Sequence, residues 1–290
     1  MVLVTSCGQQ GQSESVAEAT PAPATETESP AGKSSSPSAS SSASSTASSS
    51  PSPSPSPSAS TKASAASTGP ATPAHRTTAA AGTTSEKTNA APTAPSFPVP
   101  VSVGNSTQII TVKADGSYAT VTAWAKGASG WKAAISANGR VGSNGVTDGA
   151  TRRQSTYTTP TGTYTITEGF GVESGGTNMP YTRVNSSHWW VEDPESAYYN
   201  SMHSAAGADF PLVETGERGS EHLINYPTQY AKALVVNFNR WPATPGRGAG
   251  IFLHVNGSGA TAGCVSVPRA TMDRIMAWIQ PGAHPRIAIG

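Results

Sequence analysis

Polar and apolar residues interleave over Thr107-Gln108-Ile109-Ile110-Thr111-Val112 and again over Ala119-Thr120-Val121-Thr122-Ala123-Trp124. These runs predict two β-strands, joined through the turn signal Asp115-Gly116. Residues 131–135 predict a third strand. Asn144-Gly145 and Asp148-Gly149 mark loops, and Thr159-Pro160-Thr161-Gly162 reads as a turn into a strand at 163–166. Between 171 and 231 periodicity is poor, so loops with short pieces of structure are expected. Residues 233–238 and 251–255 are apolar strands. The period then changes. Behind Pro268, which suits a first helical turn, Met272, Ile275, Met276 and Ile279 stand at i, i+3, i+4 and i+7. Pro281-Gly282 ends that helix, and 286–289 forms a closing strand. No internal repeat is present. The sum is a mostly β domain with one clear C-terminal helix.

Upstream the pattern vanishes. All 19 aromatic residues lie at or after Phe97, and Ser, Ala, Pro and Thr dominate what precedes it. A segment without aromatics and nearly without Leu, Ile or Val cannot bury enough apolar surface to offset its chain entropy. Residues 8–99 are therefore expected to be a disordered linker, extended and polyproline-like where Pro alternates with Ser. Such a segment is either an incidental tail or a spacer, and as a spacer it reaches on the order of 250 Å when fully extended. Residues 100–290, with patterning from about Phe97, suit one domain with a real core.

Charge adds exclusions. The domain carries 14 Lys/Arg against 12 Asp/Glu, and the tail 4 against 5. Without a basic stripe, nucleic acid is not an expected partner. No run approaches the length of a membrane-spanning segment.

Met1-Val2-Leu3-Val4-Thr5-Ser6-Cys7 is too short for a secretory signal. Val4-Thr5-Ser6-Cys7 nevertheless resembles a bacterial lipobox, followed by a polar tail as in lipoproteins. The expectation is that 1–7 is the remnant of a longer signal and that Cys7 receives lipid, holding the protein at the outer face of a membrane. An ordinary N-terminus with a chance cysteine is the alternative. The chain's other cysteine is Cys264. A bridge between the two would tie the tip of the tail to the domain, and separate tasks for the two cysteines are expected instead.

Cys264 follows a loop, residues 256–263, with three glycines, ten residues after His254 at the end of an apolar strand. A thiolate is a good nucleophile, and an imidazole can take the thiol proton and return it. The backbone N–H groups of Gly263 and Cys264 could stabilise an oxyanion. Spacing alone leaves the bland alternative in front, a buried structural cysteine beside an unrelated histidine. No pair of histidines shows metal-ligand spacing with a carboxylate, and Cys264 has no companion thiol, so no metal or other cofactor is expected. His75, His188, His203 and His284 read as surface residues, and His222 as structural ahead of a cleft role.

The surrounding residues shift the balance. Thr-Ala-Gly-Cys-Val-Ser-Val after an Ile-Phe-Leu-His strand resembles the L,D-transpeptidase (YkuD-type) catalytic domain of bacteria. Thr159-Pro160-Thr161-Gly162-Thr163-Tyr164 resembles its second signature, and the stretches WWVEDPESAYYN and SEHL also look like its secreted actinobacterial members. The resemblance implies that Cys264 is the nucleophile, His254 its proton acceptor, and Gly263 and Cys264 the oxyanion donors. It implies peptidoglycan stem peptides as substrate, an extracytoplasmic location facing the wall, and a β-sandwich or mixed-sheet fold. Tyr181 and Trp190 are candidate walls of the substrate groove. Ala262 stands where the commoner motif has a second histidine, and Ser266 where it often has Arg or Asn. An L,D-carboxypeptidase and an inactive wall-binding protein on the same fold are the rival readings.

Overall fold

The computed structural model describes residues 96–290. The expectations placed on 1–7 and on 8–95, lipidation of Cys7 among them, lie outside the described residues. In chain order the elements are β1 (Gln108–Asp115), β2 (Tyr118–Gly127), β3 (Gly130–Arg140), β4 (Val146–Asp148), β5 (Thr159–Gly171), β6 (Tyr181–Arg183) and β7 (His188–Trp190). There follow β8 (Met202–Ser204), β9 (Glu221–His222), β10 (Ala233–Val236), β11 (Phe252–Val255), β12 (Val265–Val267), the helix α1 (Arg269–Trp278) and β13 (Arg286–Ile289). Phe97 packs edge-on against Trp124 and Trp131, and Val99 is buried, so the folded unit begins slightly before residue 100.

β1 and β2 form the expected hairpin, in register from Gln108↔Ala125 to Asp115↔Tyr118. Gly116 takes the positive φ of 56° that its turn requires. β13 inserts between β1, to which it runs parallel, and β5, to which it runs antiparallel. The main sheet runs β10-β11-β12-β3-β2-β1-β13-β5-β4. Because β5 also pairs with β10, that path returns on itself. A second sheet, β8-β7-β9, stands apart.

Two apolar cores lie on opposite faces of β10 and β11. Leu234, Val236, Leu253 and Val255 join one core with Met272, Ile275, Met276 and Ile279 of the α1 segment. Ala233, Val235 and Phe252 turn the other way, to Phe170, Trp190, Tyr230 and Cys264. A strand covered on both faces reads as a continuous apolar run, which is why these two were visible as such. The covering also fixes the backbone that carries His254.

Two expectations are corrected. Thr159 to Gly162 is not a turn before β5 but its first four residues, paired in parallel with β4 through Val146↔Thr159 and Thr147↔Pro160. The stretch 171–231 carries β6 to β9 and two 3-10 turns, held by strands of two or three residues. Pieces that short span too few side chains for a period to register.

Candidate active site

His254 sits on β11 with only 1% of its surface exposed. Its Nδ1 lies 2.7 Å from the carbonyl oxygen of Val255. A carbonyl oxygen can only accept, so Nδ1 carries the proton and Nε2 keeps its lone pair. Nε2 is buried and meets no hydrogen-bond partner among the described residues. Burial lowers the His254 pKa to about 4, against a smaller upward pull from the Val255 hydrogen bond. The ring is therefore neutral at neutral pH, with an acceptor nitrogen held ready. No carboxylate among the described residues orients it. The neighbouring carbonyl does.

Cys264 is fully buried at the entrance to β12. The backbone N–H of Phe252 donates to its Sγ at 3.2 Å, and the Gly250 carbonyl oxygen lies 3.2 Å from the same sulfur. Sγ thus sits abreast of Phe252, two residues from His254 on one strand, roughly 7 Å along at a strand's rise. Phe252 and His254 share a face, since side chains alternate. In this structure Cys264 is disulfide-bonded. Cys7, the other cysteine of the chain, lies outside the described residues.

The turn before the cysteine is held from inside. Thr261 Oγ1 donates to the Cys264 carbonyl at 2.6 Å and accepts the Gly263 N–H at 3.2 Å. Thr159 Oγ1, from the start of β5, accepts the Gly142 N–H at 2.8 Å and reaches the Cys264 carbonyl at 3.3 Å. The two sequence signatures therefore meet at one backbone oxygen, which spacing along the chain could not reveal. The Gly263 N–H, expected as an oxyanion donor, is engaged by Thr261. It would have to exchange that partner to serve an oxyanion.

Around this centre lies a shell of buried charged and phenolic groups. The Tyr230 hydroxyl donates to Glu221 Oε2 at 2.7 Å, and the Tyr230 ring meets the His254 ring edge-on at 5.6 Å. A Cβ added to Gly250 would fall 2.4 Å from Glu192 Oε1, so that carboxyl lies against the residue whose carbonyl faces Sγ. Burial, and then the charge of Glu221, hold Glu192 well above the usual carboxylate range. Arg152, from the loop after β4, is buried with its guanidinium against Gly263. Burial pulls its pKa down, against an upward pull from Glu192. Sequence reasoning assigned no role to Glu192, Glu221 or Arg152. The first two stand in the stretches that carried the resemblance, but nothing in a polar loop marks a charge as buried.

Trp190, expected as a groove wall, is a core side chain at 1% exposure. Its ring stacks on Phe170 and meets Phe252 edge-on, and its Nε1–H donates to Asn200 Oδ1. It supports the strand beneath the cysteine and presents no surface to a substrate. Tyr181 packs against the other core and donates its hydroxyl to the Glu173 carbonyl, outside the cluster that holds Cys264. His222 stacks on Trp189 at 4.3 Å and its Nε2 contacts the Ser186 carbonyl, a structural role. Ala262 and Ser266 are buried, and the Ser266 hydroxyl has no partner among the described residues.

A family model of the L,D-transpeptidase catalytic domain, YkuD, matches residues 106–289, and the chain belongs to that family. No curated protein and no solved structure matched it.

Proposed function

We propose that this protein is a cell-wall cysteine transpeptidase that forms L,D cross-links between peptidoglycan stem peptides. The observation that carries the reading is the tautomer of His254, an Nε2 acceptor held on the strand face that Cys264 shares, in a chain of this family. In the reduced protein the Cys264 thiol gives its proton to Nε2 as sulfur attacks the carbonyl at the L-centre of the donor's diamino acid. An S–C bond forms, the C–N bond to the terminal D-alanine breaks, and the protonated imidazole returns its proton to the leaving amine. An acceptor amine then displaces sulfur, loses its proton to Nε2 and closes the cross-link. Lipid on Cys7 and the 8–99 segment would hold the domain outside the membrane and let it reach into wall polymer.

The test is incubation of the reduced protein with a disaccharide-tetrapeptide, followed by mass spectrometry. An acyl adduct on Cys264, released D-alanine and a cross-linked dimer are expected, and Cys264→Ala should show none of them. Release of D-alanine with tripeptide as sole product would assign a carboxypeptidase, since water would then out-compete the positioned amine. Absence of adduct and release would leave the wall-binding reading.

A further inference from the structure

Among the described residues Arg152 is a buried cation without a counter-ion, its guanidinium against Gly263, one residue from the proposed nucleophile. Its Nε donates to the Thr158 carbonyl at 2.7 Å and its Nη1 to the Arg247 carbonyl at 3.3 Å. No carboxylate lies within ion-pairing distance of it among the described residues. Glu192 is the acid that acts on it, and burial holds that carboxyl toward its neutral form. Tyr164 and Tyr199, the other groups facing it, are phenols whose pKa values burial raises to about 12. A guanidinium is costly to bury unpaired.

The backbone is shaped to admit it. A Cβ on Gly248, where φ is +111°, would fall 1.7 Å from Nη1. A Cβ on Gly263 would fall 2.8 Å from Nη2. Two glycines on separate segments thus leave the room that the guanidinium fills. Nη2 donates to no acceptor among the described residues, and it is not sealed from solvent. It is an open donor beside the turn that leads to Cys264.

We infer that Arg152 binds the terminal carboxylate of the donor peptide's leaving D-amino acid, so that the site selects peptides whose scissile bond precedes a free C-terminus. The inference rests on the function proposed above. Its geometry follows from chain dimensions: the carboxylate of a C-terminal residue lies one residue beyond the scissile carbonyl, about 3.3–3.6 Å of extended chain. Gly263, against which Nη2 lies, is likewise one residue from Cys264. Arginine rather than lysine suits the task because its planar fork keeps two donors on backbone carbonyls while the third takes the ligand.

The experiment is a binding titration by calorimetry in the Cys264→Ala protein, which cannot turn over. The probes are a stem tetrapeptide with lysine at position three and its glutamyl α-carboxyl amidated, and the same peptide as its C-terminal carboxamide. The only carboxylate is then the terminal one. The acid should bind roughly tenfold more tightly than the amide, the worth of a charge-assisted hydrogen bond. Adding Arg152→Gln should bring the ratio to about one, and Arg152→Lys should restore part of it. Should Arg152→Gln fail to fold, Gly248→Ala, whose methyl displaces Nη1, should lower the same ratio. Equal binding of acid and amide, a ratio that survives Arg152→Gln, or no binding of either peptide overturns the inference. D-alanine release by the reduced wild-type protein is scored separately, so failure of the transpeptidase reading is seen on its own.

Discussion

The neutral ring of His254 sets two pH dependences of opposite use. In the unfolded chain a histidine titrates near ~6.5, whereas burial holds His254 at about 4 in the fold. Between those values the unfolded state binds more protons, so stability is full above about pH 6.5 and is lost as pH falls toward 4. A tenfold change in proton affinity is worth about 1.4 kcal/mol, so this one group accounts for a loss of about 3 kcal/mol. Urea unfolding of wild type and His254→Gln at pH 7.5 and 4.5 should show the wild type losing more across the interval. Equal losses would mean that the ring is solvated. The second dependence concerns rate. The acid limb of kcat/KM reports the free enzyme's base, so it should fall near 4 rather than near 6.5. Only the reduced protein should be active in this test, because a disulfide-bonded Cys264 has no proton to give and no lone thiolate to attack.

Thr159, which opens β5, and Cys264, which leads into β12, stand 105 residues apart in the chain, and what joins them at the site is a pair of threonines. Thr159 Oγ1 serves the Gly142 N–H and the Cys264 carbonyl together, and Thr159 is fully buried. Thr159→Val keeps the shape but strands that N–H, at a cost of about 1–3 kcal/mol. The expected outcome is a lower urea midpoint with unchanged m, and a kcat loss larger than stability alone explains, because the Cys264 turn is freed on one side. Unchanged kcat in a folded Thr159→Val protein would show that Thr161 to Tyr164, not Thr159, carries the signature's importance. The elements themselves were legible unequally. Alternation marked β2, and the 3.6-residue period marked α1, because each buries chiefly one face, whereas β1 is covered on both faces from Gln108 to Val112 and was marked by its β-branched residues. The T-P-T-G stretch was misread because Pro160 lies on a strand paired only with the short β4 on that side, where a missing N–H is tolerated. Cys264 and His254 were legible through motif residues. Arg152 and the Gly263 N–H bond to Thr261 were not, since both depend on side-chain contacts that no residue spacing announces.

The chain joins a patterned domain to an N-terminal stretch whose composition lacks core material. No helix among the described residues is long and apolar enough to cross a membrane. Among the described residues the two cores begin at Ile110, and Phe97 packs edge-on against Trp124 and Trp131. Compared in their reduced forms, a chain beginning at Ser96 and the full chain should therefore have the same stability to urea within about 0.5 kcal/mol, the scatter of changes away from the core. Its D-alanine release from a soluble tetrapeptide should match the full chain within about twofold once both are reduced, because diffusion replaces reach when substrate is free. Activity on insoluble wall, assayed in cells, should instead depend on the N-terminal stretch: replacing Cys7 by alanine should move the protein from the membrane fraction to the medium, and shortening 8–95 by half should lower cross-linking without changing the soluble rate. A tenfold drop in the soluble rate for the chain from Ser96 would show that the N-terminal stretch takes part in chemistry, and the spacer reading would be wrong. Retention in the membrane fraction after Cys7→Ala would remove the lipid anchor while leaving the catalytic proposal to stand on Cys264 and His254.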